Sequence, residues 1–125
     1  MTQGQPVSAL AAMLAGLAPE LDGRAWFFVV VEGEVPPDAF AVIREDEGTT
    51  AIVAGVRTGA PFARITLTVL SALEGVGLTA AVSGALSEAG IACNFVAGYH
   101  HDHLFVPWDR REEALAVLQG LAVRP

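Results

Sequence analysis

The stretch from Arg64 to Ala122 constrains the fold most, because it reads as strand, glycine-rich turn, helix, strand, hairpin, strand, helix. In Arg64 to Leu70, Ile65, Leu67 and Val69 point one way while Thr66 and Thr68 point the other, which predicts a strand with one covered and one more open face. Glu74-Gly75-Val76-Gly77 follows as a turn. From Leu78, the residues Leu78, Ala81, Val82, Ala85, Leu86 and Ala89 fall on one helical stripe, and Gly90 is placed to stop that helix in the left-handed conformation. Small residues on the stripe predict a close approach to the sheet. Ile91 to Ala97 resumes alternation, with Ile91, Cys93, Phe95 and Ala97 opposite Ala92, Asn94 and Val96. Leu104-Phe105-Val106 is the return strand and Pro107 closes it. Asp109, with Glu112 three residues on, predicts a capping box ahead of an inward stripe of Leu115, Leu118, Leu121 and Ala122.

The first half is read the same way. Val7, Leu10, Leu14 and Leu17 make one helical stripe, which Pro19 and Asp22-Gly23 are expected to end. Trp26 to Val31 is β-branched and aromatic without alternation, as expected of a strand covered on both faces. Phe40 to Arg44 and Thr49 to Ala54 predict a hairpin joined by Glu45-Asp46-Glu47-Gly48, with glycine supplying a positive φ. The acids there are read as a solvated tip. Val56 to Pro61 is the best linker.

Strand, helix, strand, strand, helix is a ferredoxin-like βαββαβ sandwich without its last strand, an α+β fold in which helices cover one face of an antiparallel sheet. Either the first half supplies that strand, for which Trp26 to Val31 is the candidate, or the sheet edge pairs with another subunit. The 53% apolar composition is ample for a core, while no apolar run approaches the roughly 20 residues of a membrane span. A cytoplasmic protein with no membrane contact is expected. The formal charge of −7, with no lysine, would repel phosphate backbones, so nucleic-acid binding is disfavoured. One cysteine, Cys93, rules out an intrachain disulfide.

The strings Ile65-Thr66-Leu67-Thr68-Val69, Gly75-Val76-Gly77-Leu78-Thr79-Ala80-Ala81-Val82, Ala89-Gly90-Ile91-Ala92-Cys93-Asn94 and Gly98-Tyr99-His100-His101-Asp102-His103-Leu104-Phe105-Val106-Pro107 together resemble the ACT domain. More closely, they are similar to small bacterial proteins of unknown function built from two ACT-like units, and to the CASTOR type of ACT domain. The resemblance implies two tandem units, a degenerate one over residues 1–62 and a fuller one over residues 63–125. It also implies a regulatory module that binds an amino acid or similar small molecule at a domain or subunit interface, near the loop from Ser71 to Gly77. ACT domains usually carry Asp-Arg-Pro-Gly or similar at that turn. Leu73-Glu74-Gly75-Val76-Gly77 stands there instead, so a ligand carboxylate would depend on backbone amides.

Physical chemistry supports that loop separately, because glycines beside a helix N-terminus permit close backbone approach and first-turn amides attract an α-carboxylate. A tight turn with no ligand explains the glycines equally well. The candidate ligand-binding set is Glu74, Gly75, Val76, Gly77, Leu78, Thr79, Asn94 and Asp102, with Thr79 as a hydroxyl donor and Glu74 and Asp102 as partners for an ammonium group. Asn94 faces the less apolar side and either bonds a ligand or pairs across a contact. His101 and His103 share one face of an extended chain and His100 and Asp102 the other, so one strand presents at most two metal ligands per side. Zinc wants three or four, so no metal or cofactor is assigned. Cys93 is read as a small buried hydrophobe, not a nucleophile. The leading expectation is a non-catalytic ligand-binding module acting as a homodimer. A ligand-free oligomerisation module is the alternative, and a histidine-based enzyme or metal protein ranks third.

Overall fold

The computed structural model describes residues 6–68 and 77–122, and the order of elements is α1 (Pro6–Ala15), β1 (Pro19–Val31), β2 (Ala41–Glu45), β3 (Gly48–Ala54), β4 (Phe62–Leu67), α2 (Leu78–Glu88), β5 (Asn94–Ala97), β6 (Asp102–Pro107), a 3-10 turn (Trp108–Arg110) and α3 (Arg111–Ala122). The strands form one six-stranded antiparallel sheet in the order β2-β3-β1-β4-β6-β5.

β1 is the strand that the second half lacks. Its first half, from Pro19 to Trp26, pairs antiparallel with β4, and its second half, from Trp26 to Val31, pairs antiparallel with β3. Taken as β1-β4-β6-β5, the sheet beneath α2 and α3 has the four strands of the ferredoxin-like arrangement, completed within a single chain. The expectation of a subunit-supplied strand is therefore not needed. The chain crosses β1 between Ala54 and Phe62, where residues 55–60 are exposed coil and Gly55 donates to the Ala25 carbonyl at 3.3 Å.

Period-two burial fixes which side is which. Ala63, Ile65 and Leu67 of β4 and Leu104 and Val106 of β6 point into one core with Leu78, Val82 and Leu86 of α2, Ala114, Leu118 and Leu121 of α3, and Leu17 after α1. All three helices thus contribute to the same side. Each fully buried leucine contributes about 1.5–3 kcal/mol. The remaining alternate residues, among them Trp26, Phe28, Phe62, Arg64, Thr66, His103 and Phe105, face the other side, which no described helix covers.

α2 stops as its sequence predicts. Gly90 takes φ +74 and donates to the Ser87 carbonyl, Ile91 donates to the Leu86 carbonyl, and the Ile91 side chain is buried against the same core. Arg110 reinforces this stop by donating to the Ala89 and Gly90 carbonyls, at 3.0 and 3.3 Å, while its Nε pairs with Glu113 at 2.7 Å. The head of α3 is so fixed to the tail of α2.

Four expectations change. Trp26 to Val31 is not covered on both faces: Phe28 is 38% and Val30 73% exposed, because β4 leaves β1 at Trp26 and nothing described continues the sheet beside them. Pro19 and Asp22-Gly23 do not precede the strand but lie in it. A proline is tolerated as a first strand residue, and residues 22–24 form an irregularity between the Leu21–Ile65 and Ala25–Ala63 pairs. Ile91 to Cys93 is irregular instead of β, since Ile91 is taken up in closing α2. Asp109 lies inside the 3-10 turn and does not cap α3. In its place Arg111 donates to the Trp108 carbonyl at 2.6 Å and stacks 3.8 Å over the Trp108 ring.

Candidate functional site

The turn ahead of α2 is the first place to look. Glu74, Gly75 and Val76 lie outside the described residues, as does the rest of the loop from Ser71. Gly77 takes φ +102 as the residue before the helix, a conformation that side chains resist, and Ala81 donates to its carbonyl at 2.9 Å. Helix geometry leaves the amides of Leu78, Thr79 and Ala80 without an intrahelical carbonyl, so they carry the partial positive charge of the helix start. The Leu78 side chain is buried in the core, which leaves its backbone as the available part, whereas Thr79 is exposed. A shallow open groove begins at the next residue, lined by Ala80, Ser83, Gly84, Ser87 and Cys93.

Asn94 and Asp102 do not sit together. Asn94 pairs with Phe105 and Asp102 with Ala97, three residues apart along β6, so the two side chains project from opposite faces at a separation of about 10 Å. Asn94 is exposed on the face away from α2. Asp102, partly buried beside Leu67, is on the helix side of the sheet. Only Asp102 shares a side with the α2 turn.

The histidines do not divide by strand parity as expected: His100 and His101 precede β6, and only Asp102 and His103 alternate between its faces. His100 and His101 are exposed in the turn, which Gly98 closes by donating to the His101 carbonyl at 2.9 Å. His103 lies on the open face, where its Nδ1 and the Thr66 hydroxyl share a 3.0 Å hydrogen bond and the Phe40 ring stands edge-on at 4.8 Å. Burial, then Arg64, pulls its pKa below the usual 6.5. Among the described residues no three metal-ligating side chains converge. Cys93 packs partly buried against the helix-side core, and burial pushes its thiol up to about 11, so it is a poor thiolate.

Sequence reasoning missed a second cluster, on the open face. Phe40 folds back from the loop between β1 and β2 and anchors its amide on the Ile52 carbonyl at 2.8 Å. Its ring packs on Trp26 and Phe105, at centroid distances of 5.7 and 5.8 Å. The Arg64 guanidinium lies against both the Trp26 and Phe40 rings, 4.7 Å from each, and the Arg24 guanidinium is 4.8 Å from Trp26. Asp22 binds both arginines. It accepts from the Arg24 amide, Nε and Nη2 at 2.7, 3.1 and 2.9 Å, and from Arg64 Nη2 at 2.8 Å. The Arg24 hydrogen bonds, foremost, hold its carboxyl down at about 2. Burial pulls the Arg64 pKa downward. The readable signal was slight: Asp22-Gly23-Arg24 looks like a turn, and Arg64 is 42 residues away.

Comparison with known proteins shows the family and the fold. One ACT domain family model matches residues 63–120 and another matches residues 5–60. A solved Vibrio cholerae protein of unknown function, described as a possible transport protein, is 36% identical over 94% of this chain and 99% of its own, with a TM-score of 0.82. An Agrobacterium tumefaciens structure is 17% identical, covering 85% of this chain and 89% of its own at a TM-score of 0.65, and so shares the fold. Among curated proteins there is no match.

Proposed function

The chain belongs to the ACT domain family, with two such domains in tandem, and from that premise we propose that it is a non-catalytic regulatory module binding an amino acid or a similar small molecule. The N-terminal unit, residues 1–62, is the degenerate one, and residues 63–125 form the ligand-binding unit. The carrying observation is the left-handed Gly77 opening directly onto α2 beside an exposed Thr79. No side chain at residue 77 stands between the helix-start amides and a ligand carboxylate, which those amides favour electrostatically. Glu74, Gly75 and Val76 belong to the same proposed set, and Thr79 adds a hydroxyl donor. Asp102 receives the ammonium group from the same side of the sheet. Asn94 belongs to this site only across a homodimer contact, for which the β5 edge is the available strand.

The oligomerisation reading loses a support. Its motive was an absent strand, and β1 fills that position. Thr66 is also occupied, by His103. A thermal-shift panel of the common amino acids and nucleotides tests the ligand reading. A compound at one hundred times its Kd adds about 2.7 kcal/mol. We expect at least one amino acid to raise Tm, and a flat response across the panel would remove the proposal.

A further inference from the structure

The cluster around Asp22 contains two guanidinium groups and one carboxylate. An ionised carboxylate offers about four lone-pair sites. Asp22 already accepts four hydrogen bonds, three from Arg24 and one from Arg64. Arg24 takes it side-on with Nε and Nη2, so only a single oxygen contact is left for Arg64. The consequence is visible at Arg64: its Nε is fully buried and, among the described residues, has no acceptor. The indole Nε1 of Trp26, a residue 3% exposed, is likewise buried without one. Both groups belong to a single stack, with the Arg64 guanidinium 4.7 Å from the Trp26 ring. A buried donor without an acceptor is costly, the more so when charged, so two in one stack require an explanation.

The charges indicate which class of acceptor suits these donors. Two arginines against Asp22 leave one positive charge in excess, and a neutral His103 does not alter it. The surroundings are aromatic: Phe40 over Arg64, with Phe105 and His103 against Phe40. A strongly hydrated, doubly charged phosphate would lose too much solvation there. A singly charged, planar carboxylate on an apolar body matches the charge, the donors and the walls.

We infer that the open face of the sheet carries a binding site for a small apolar monocarboxylate, with Arg64 Nε and Trp26 Nε1 as donors, Arg24 holding Asp22 out of competition, and Phe40 as the movable cover. It lies across the sheet from α2, and its failure would leave the α2 reading untouched. Phe40 is the natural part to move, because it ends the loop of residues 32–40, in which Glu32, Gly33, Glu34, Pro37 and Asp38 are exposed. Arg64, 17% exposed, becomes accessible once that ring turns outward.

The test follows the indole N–H of Trp26 by nitrogen–proton correlation NMR, with benzoate as probe and benzyl alcohol as its uncharged counterpart, at constant ionic strength. The signal is distinguished from that of Trp108 by Trp26→Phe. Benzoate is expected to shift it saturably, and benzyl alcohol to leave it in place. By calorimetry, Trp26→Phe and Arg64→Lys should each weaken benzoate about tenfold or more, the loss expected for a charge-assisted hydrogen bond. Phe40→Ala should retain binding and speed exchange. Arg24→Gln is the most specific variant and, at a side chain 62% exposed, the least disturbing to the fold. It frees Asp22 to take Arg64 side-on and so should also weaken benzoate. A Trp26 signal unmoved by benzoate in both the natural protein and Phe40→Ala overturns the site. So does an equal response to benzyl alcohol, or an affinity indifferent to Arg64→Lys and Arg24→Gln.

Discussion

Asp22→Asn removes the one carboxylate that holds the open-face cluster together, and its cost can be worked from the structure. A carboxyl whose pKa falls from 3.8 to about 2 on folding contributes about 2 kcal/mol, at 1.36 kcal/mol per pH unit. Arg24 is 62% exposed, so solvent screening removes about half of this and leaves about 1 kcal/mol. Arg64, whose side chain is 17% exposed, then loses its described acceptor, a loss of about 2 kcal/mol for a partly buried charged donor. With an unfolding entropy of about 2.1 cal/mol/K per residue over 125 residues, the total of about 3 kcal/mol lowers Tm by about 11 °C. The pH dependence has a definite sign. Asp22 is depressed in the folded state, so its contribution is complete above pH 3.8 and is lost as pH falls through about 2. Thermal melts of both proteins should therefore diverge near neutrality and converge through that acid window. Equal melting near neutrality, or a gap that persists undiminished in acid, would refute the reasoning.

The other predictions concern the helix side and the hairpin. Leu86→Ala, at a fully buried position of α2, should cost about 2–5 kcal/mol in urea unfolding. Gly90→Ala meets no atom within 4 Å but must hold φ +74, so it should cost about 1–2 kcal/mol from backbone conformation alone. Cys93, with its thiol up at about 11, should react with iodoacetamide near neutrality far more slowly than the same cysteine in the urea-unfolded chain. His103, held below 6.5, should titrate by NMR below a model peptide. Its contribution to stability should then decline as pH falls from 6.5 through its folded value.

How much of this was legible depended on whether the cause was local. Leu78, Val82 and Leu86 announce α2 because a helix repeats within itself, and Gly90 announces its stop because few other residues adopt that φ. The hairpin of Ala41 to Ala54 is equally local. β1 was half legible: Trp26 to Val31 reads as a strand, yet Pro19 and Asp22-Gly23 read as breakers. Pairing with β4 overrides those propensities, and the irregularity at residues 22–24 absorbs the misfit. The Ile91 start of β5 failed for the opposite reason, since a helix-closing hydrogen bond claimed the residue first. The Asp22, Arg24 and Arg64 cluster was illegible because it depends on register between strands distant in sequence. At the α2 turn, the left-handed glycine ahead of the helix was readable from local glycine chemistry. That Asn94 and Asp102 face opposite sides of the sheet was not, because the register of β5 against β6 sets it.

The account rests above all on the helix-start amides after Gly77 receiving a ligand. The direct measurement is amide NMR mapping with whichever amino acid raises Tm. The account predicts that the amides of Leu78, Thr79 and Ala80 shift together and saturate with the thermal Kd. It also predicts that Trp26→Phe leaves this response intact. Amides at these positions that stay fixed while the compound binds elsewhere would contradict it.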